Sequence, residues 1–466
     1  GAYYWQATPS GAGSLGSLDN IRVTHPSIAS TNRLGQSSTL GGAYNSLGGG
    51  FLTNDGSGNM LMSGIPLASM VGGSFFSTGA GSTSGVFTGG TYSVGPSGNY
   101  FSITAALTAM SEDSALSGPV ILELQPTYSS TVEGYPLRYT AAVPTTAVNT
   151  VTIRPAAAVS AVINFNPAPI PNVTAFPYPV MYPIFDFNGG KNFIIDGRPG
   201  GTGTNQFITV NNLGNGSALR LINDAQDNKF RYINFLSNNL STASGTILIS
   251  TTNVGVGSSN GNNGNRIDFC DINNQGTNPI GIRASGSPAP ADNKFDTITN
   301  CKIYDFYQQV TPLTGTSVTN IGINIQAGNT NWSIGTTVSN GNKFYQTANR
   351  IPVAPTATTV ISSGLTAISI NSSTGSGFNI YGNRIGGNIP GIAGSVMNIG
   401  SPTQNSLTNN FVYALRVDNV ANHTNPTIQL PTSIQGNIIS DINVIASNTS
   451  GNTFYLLGML CQSGWM

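Results

Sequence analysis

The chain has 466 residues, a mass of 48.2 kDa, and 17 basic against 17 acidic residues. Charged residues are only 7% of it, against about 25% in an average soluble domain, which excludes a basic nucleic-acid-binding face and an acidic solvating tail. Hydrophobic residues at 39%, including 20 Phe and 17 Tyr, exclude a disordered polar chain, and no apolar run approaches the roughly 18 residues of a membrane-spanning helix.

What remains is a Gly-, Ser-, Thr- and Asn-rich chain solvated by amides and hydroxyls, a composition that suits an extracellular all-β protein. No charged, apolar leader precedes Gly1, which reads as a trimmed, exported product. Three cysteines are too few for a disulfide framework.

Residues 1–90 alternate aromatic or apolar dipeptides with glycines, so helices are excluded by the cost of Gly, roughly 1 kcal/mol each. Short strands and glycine turns are expected there, in an arm or small β region anchored by Tyr3, Tyr4, Trp5, Phe51, Phe75 and Phe76. From residue 91 the pattern changes. Ser102 is placed to cap one amphipathic helix with Ile103, Leu107 and Met110 on its apolar face, ended by Gly118-Pro119. Val120–Leu124 then reads as a strand, and Val151–Pro155 as another that Pro155 stops. Residues 91–200 are thus a cap and first coils.

Residues 201–466 are repetitive. An Asn-basic-apolar element recurs at Asn228-Lys229-Phe230, Asn265-Arg266-Ile267, Asn293-Lys294-Phe295, Asn342-Lys343-Phe344 and Asn383-Arg384-Ile385, with Asn437-Ile438-Ile439 as a degenerate copy. Between these lie alternating apolar positions, Leu219/Leu221, Ile247/Ile249, Ile282, Ile323/Ile325 and Ile368/Ile370. Units of variable length with two or more strands each match coils of a parallel β-helix, in which loops lengthen freely while strands return in register. An Asn at a fixed coil position can hydrogen-bond to the next coil about 4.8 Å away and tolerates a left-handed corner. Ile233-Asn234-Phe235, Cys270-Asp271-Ile272 and Cys301-Lys302-Ile303 share one in-out-in pattern, so Cys270 and Cys301 are expected to stack, as buried small residues or as a disulfide. Cys461 has no partner in sequence.

The stretches GTYSVGPSGNYFSITAALTAM, SGPVILELQPTYSS and VNTVTIRPAA resemble the opening of pectin-lyase-like right-handed β-helices. More narrowly, with the repeats DNKFRYINF and GNKFYQTANRI and the Tyr3-Tyr4-Trp5 start, the chain resembles Bacteroidota cell-surface proteins exported by type IX secretion. The resemblance implies an all-β fold, a right-handed parallel β-helix with one N-terminal capping helix and a glycine-rich N-terminal region.

Some β-helices of this class cleave polysaccharides. A lyase needs several carboxylates around Ca²⁺ and an Arg or Lys base on the same face. The nearest candidates are Asp268, Asp271, Asp292 and Asp296 with Arg266, and alternation places Asp268 and Asp271 on opposite faces. Neither His25 nor His423 joins a carboxylate cluster. Lys229, Arg266, Lys294, Lys343 and Arg384 share one position of the repeat, so they form either a cationic stripe for acidic glycans or a solvated coil edge that discourages aggregation.

The expectation is therefore a non-enzymatic exported surface protein, an adhesin or the subunit of a surface fibre assembling head to tail, with no catalytic, metal or cofactor site. Self-association, another surface protein or glycans are the expected partners, with no nucleic acid and no transmembrane helix. A carbohydrate-active lyase or hydrolase, and a viral tail-fibre-like protein, are the alternatives.

Overall fold

A computed structural model describes residues 85–166, 183–251, 259–276, 279–307, 320–351, 364–390, 394–400, 411–418, 431–445 and 455–461 in full, with backbone strands at some further positions. The fold is a parallel β-helix with a single α-helix among the described residues. It divides into two compact units, residues 1–165 with 190–208, and residues 166–189 with 209–466.

In the N-terminal unit, short antiparallel strands occupy part of residues 1–80, with Trp5 opposite Phe76 in the register. The anchor roles expected of Tyr3, Phe51 and the side chains of Tyr4, Trp5, Phe75 and Phe76 lie outside the described residues. Four strands then stack in parallel: Gly90–Val94, Val120–Leu124, Val151–Pro155 and Phe193–Asp196. Alternation turns Val120, Leu122, Leu124, Val151, Ile153, Phe193 and Ile195 into the core, each at most 1% exposed.

The helix spans Ile103–Ser111, and the Ser102 hydroxyl accepts from the Ala105 N–H as its N-cap. It ends well before Gly118-Pro119, because Ala115–Leu116 leaves as a strand parallel to Val86–Phe87. Glu133, buried, accepts from the Ile103 N–H at 2.6 Å, the Thr104 N–H at 2.9 Å and the Tyr128 hydroxyl at 2.8 Å. This carboxylate satisfies first-turn donors that have no partner inside the helix. Ser102→Ala removes the remaining cap and is expected to cost about 1 kcal/mol, measurable as a lowered denaturation midpoint.

The second unit builds each coil from three strands. Around the coil, the first sheet stacks Lys229–Arg231, Arg266–Asp268, Thr297–Thr299, Ser333–Ile334, Asn379–Tyr381 and Ser433–Gln435. The second stacks Ile233–Ser237, Asp271–Asn273, Lys302–Tyr304, Lys343–Tyr345, Arg384–Ile385 and Ile438–Ile439. The third runs from Phe185–Asn188 through Leu219–Ile222, Ile247–Ser250, Ile280–Ser285, Val318–Ile325, Ile361–Asn371 and Thr408–Asp418 to Phe454–Cys461. The alternating apolar pairs read from the sequence are the inward residues of this third sheet: Leu219/Leu221, Ile247/Ile249, Ile323/Ile325 and Ile368/Ile370 are buried. Each fully buried side chain of this kind contributes about 1.5–3 kcal/mol.

Left-handed residues turn the chain at both ends of the first-sheet strands. Asp227, Gly264, Phe295, Asn331 and Gly377 lead into them, and Tyr232, Phe269, Asn300, Gly382 and Gly436 lead out, all at φ between 53° and 74°. In one coil the exit corner is replaced by a longer loop, residues 335–341, that crosses the next corner. A Cβ at Gly382 would sit 2.2 Å from the Thr337 carbonyl oxygen, so glycine is required there by contact as well as by φ.

Candidate functional site

The residues singled out by the repeat occupy the corners and outer faces of the first and second sheets. They do not form one column. Asn228 and Asn265 lie at the entry corner, where the Asn228 amide donates to Asn265 Oδ1 at 3.0 Å. The next occupant of that column is Asp296, whose Oδ1 accepts from the Asn265 N–H at 2.7 Å and from its side-chain amide at 3.1 Å. Asn293 belongs to a second ladder three residues earlier, accepting from Asn262 at 2.9 Å and donating to Asn329 at 3.0 Å. A third ladder, Asn342–Asn383–Asn437, stands at the exit corner, with amide-to-amide bonds of 3.0 and 2.9 Å.

The third ladder continues the cysteine column. The Cys301 N–H donates to Asn342 Oδ1 at 3.0 Å, and the register Asp271↔Lys302 places Cys270 directly below Cys301. Both are fully buried, free thiols. Burial and the neighbouring thiol push the Cys270 pKa up, so it is a poor nucleophile at neutral pH. Under non-reducing conditions three thiols per chain should titrate after unfolding. Cys270 and Cys301 should stay unreactive in the folded protein, which mass spectrometry of labelled peptides would check.

The basic residues likewise separate. Lys229 and Arg266 are register partners on the first sheet, and Lys343 and Arg384 on the second. Lys294 is on neither, since the first-sheet partner of Arg266 in the next coil is Thr297. Lys302, missed by the repeat, precedes Lys343 in the second-sheet column.

Four of the five candidates for polysaccharide chemistry are engaged in ion pairs. Arg266 pairs with Asp268 at 3.0 Å, and Asp268 also accepts from the Asn300 amide at 3.0 Å. Asp271 pairs with Lys302 at 3.0 Å and Asp292 with Lys294 at 2.9 Å. Asp268 is on the first sheet and Asp271 on the second. Asp296 is 1% exposed, and burial drives its pKa well above the usual carboxylate range. Among the described residues no group of three or more His, Cys, Asp or Glu is placed to hold a metal. His25 and His423 lie outside the described residues.

Further polar groupings were not legible in the repeat. Arg350, 6% exposed, pairs with Asp305 and donates to Gln346 Oε1 at 3.0 Å, while Asp305 also accepts from the Thr347 N–H at 2.8 Å. Arg220 and Asp186, register partners on the third sheet, form a buried bidentate pair at 2.9 Å. Tyr304 and Tyr345 stack at 4.8 Å on the second sheet, and burial pushes the Tyr304 pKa up to about 12. These groups fasten neighbouring coils and loops to one another.

The architecture defines the chain as a parallel β-helix. Comparison with family models, curated proteins and solved structures finds no match.

Proposed function

We propose that this is a non-enzymatic, exported surface protein, an adhesin or structural subunit, of the kind its opening stretches resemble. The observation that supports this reading is the employment of its chemically competent side chains. Asp268, Asp271 and Asp292 are ion-paired beside their own strands, and Asp296 is part of a core ladder. A general base needs a free lone pair within reach of substrate, and a Ca²⁺ site needs several oxygens converging. The Asp271–Lys302 pair also supports a mechanical role, because it ties one coil to the next.

Incubation with polygalacturonate and with alginate tests the reading. No new reducing or unsaturated ends should appear above a no-protein control. Turnover that Asp268→Asn or Asp271→Asn abolishes would replace this function with that of a carbohydrate-active enzyme.

A further inference from the structure

We propose that the outer face of the first sheet, between its two corners, is a binding site for a neutral glycan; the proposal rests on the adhesin reading and names its ligand class. Three aromatic residues mark the site. Tyr232 and Phe269 stand at the exit corner at φ of 55° and 53°, and Phe295 stands at the entry corner at 58°. The corner residues of the other coils, such as Asp227, Asn300, Asn331 and Gly377, are Asp, Asn or Gly, the types that tolerate a left-handed backbone. For a bulky side chain that conformation is an outlier, so the backbone gives no reason for a ring at any of the three positions.

Burial gives none either. Phe230, Phe344 and Phe378 point inward at 1% exposed or less, whereas Phe269 is 40% and Phe295 60% exposed. Strained residues that packing does not demand cluster at functional sites. Here the strain holds rings at the surface, and two of them form a step in neighbouring coils: Tyr232 and Phe269 stack with centroids 4.9 Å apart and planes 5° from parallel.

The strand between the corners supplies a polar floor. Arg266 and Asp268 face outward on either side of the buried Ile267. Arg266 Nε and Nη2 donate to Asp268 Oδ2 at 3.2 and 3.0 Å, and the Asn300 amide donates to Asp268 Oδ1 at 3.0 Å. A carboxylate has about four acceptor positions, so this one is held in a fixed orientation with a lone pair of Oδ1 left over. The Arg266 side chain is 42% exposed and its Nη1 meets no acceptor among the described residues. A fixed acceptor beside a fixed donor, flanked by rings, complements a pyranose, whose hydroxyls donate and accept and whose C–H face lies on an aromatic ring. Charge and spacing exclude the other partners. With Asp227, Lys229 and Arg231 of the neighbouring coil, the face carries three cations against two carboxylates, too little excess to select an anion. The entry and exit corners are five residues apart, as from Gly264 to Phe269, or about 16 Å, so the rings do not make the contiguous apolar patch of a protein interface.

Biolayer interferometry of the full chain on immobilised hydroxyethylcellulose, galactomannan and arabinogalactan, with polygalacturonate as the anionic comparison, tests the site. Saturable binding to at least one neutral polymer is expected, stronger than binding to polygalacturonate. The double substitution Phe269→Asn, Phe295→Asn gives each corner the residue type that its own column carries in the next coil, Asn300 and Asn331. It should therefore keep or raise the melting temperature while weakening binding by about tenfold or more. Should the double variant not fold, Phe295→Asn alone, outside the ring stack, carries the same expectation. Absence of binding to all three neutral polymers, a preference for polygalacturonate, or affinity that the substitutions leave unchanged would each overturn the site. Binding lost only together with melting temperature would make the rings structural and overturn it as well. A failure to bind strikes this site alone, whereas only the release of new chain ends strikes the non-enzymatic reading.

Discussion

Replacement of Asn383 by Ala should destabilise the second unit far more than removal of an exposed amide on the same solenoid. The Asn383 side chain is fully buried and accounts for four hydrogen bonds. Its Oδ1 accepts from the Asn342 N–H at 2.9 Å and the Asn342 amide at 3.0 Å, and its Nδ2 donates to the Ile334 carbonyl and to Asn437 Oδ1, both at 2.9 Å. Truncation strands the Asn342 N–H without a partner. A buried orphan costs about 1–3 kcal/mol, and the loss should fall in that range. Asn443→Ala is the control. Its bond to Asn398 at 3.0 Å is exposed, where surface substitutions stay within about 0.5 kcal/mol. Denaturant midpoints and coil-resolved hydrogen exchange would separate the two; equal effects would show that the ladder carries no special stability.

The repeat in the sequence was sufficient for the solenoid because inward columns and left-handed corners both leave residue-type signatures. Ile, Leu and Phe recur with period two, and Gly-Asn marks a corner at Gly264-Asn265, Gly341-Asn342, Gly382-Asn383 and Gly436-Asn437. The single Asn ladder failed because Asn suits both corners of the first-sheet strand, five residues apart. A warning was legible. Asn265 to Asn293 is 28 residues, whereas Asn265 bonds to Asp296 across 31. The cysteine column shows the same 31-residue interval in the register Asp271↔Lys302. Two columns of one solenoid must advance together, so the three-residue disagreement meant that Asn293 was out of place and that Asp296 filled the rung. The substitution of a carboxylate for an amide hid it. Arg350 with Asp305, and Arg220 with Asp186, were illegible for another reason: their partners are 45 and 34 residues apart, and no short motif announces them.

Asp296→Asn should stabilise the protein at neutral pH and flatten its response to pH. In the same column Asn265 donates its Nδ2 to the Ala225 carbonyl at 2.9 Å, whereas Asp296 Oδ2, buried, has no hydrogen-bond partner. A charged carboxylate there meets no cation and little solvent, so burial raises its pKa. With the folded pKa above the unfolded one, the folded state holds the proton more tightly. The resulting stability is fully present below the ordinary aspartate pKa of about 4 and is lost as pH rises through the folded value. An amide supplies a donor where Oδ2 lacks one and never ionises. Unfolding measured from pH 4 to pH 8 should show the variant ahead by about 1–3 kcal/mol at pH 8, the gap narrowing towards pH 4. Parallel curves across that range would mean that Asp296 titrates no differently in the folded chain than in the unfolded one. A wild type more stable than the variant at pH 8 would mean that the carboxylate is charged and favourably held, and that the rung is a ligand position rather than a ladder step.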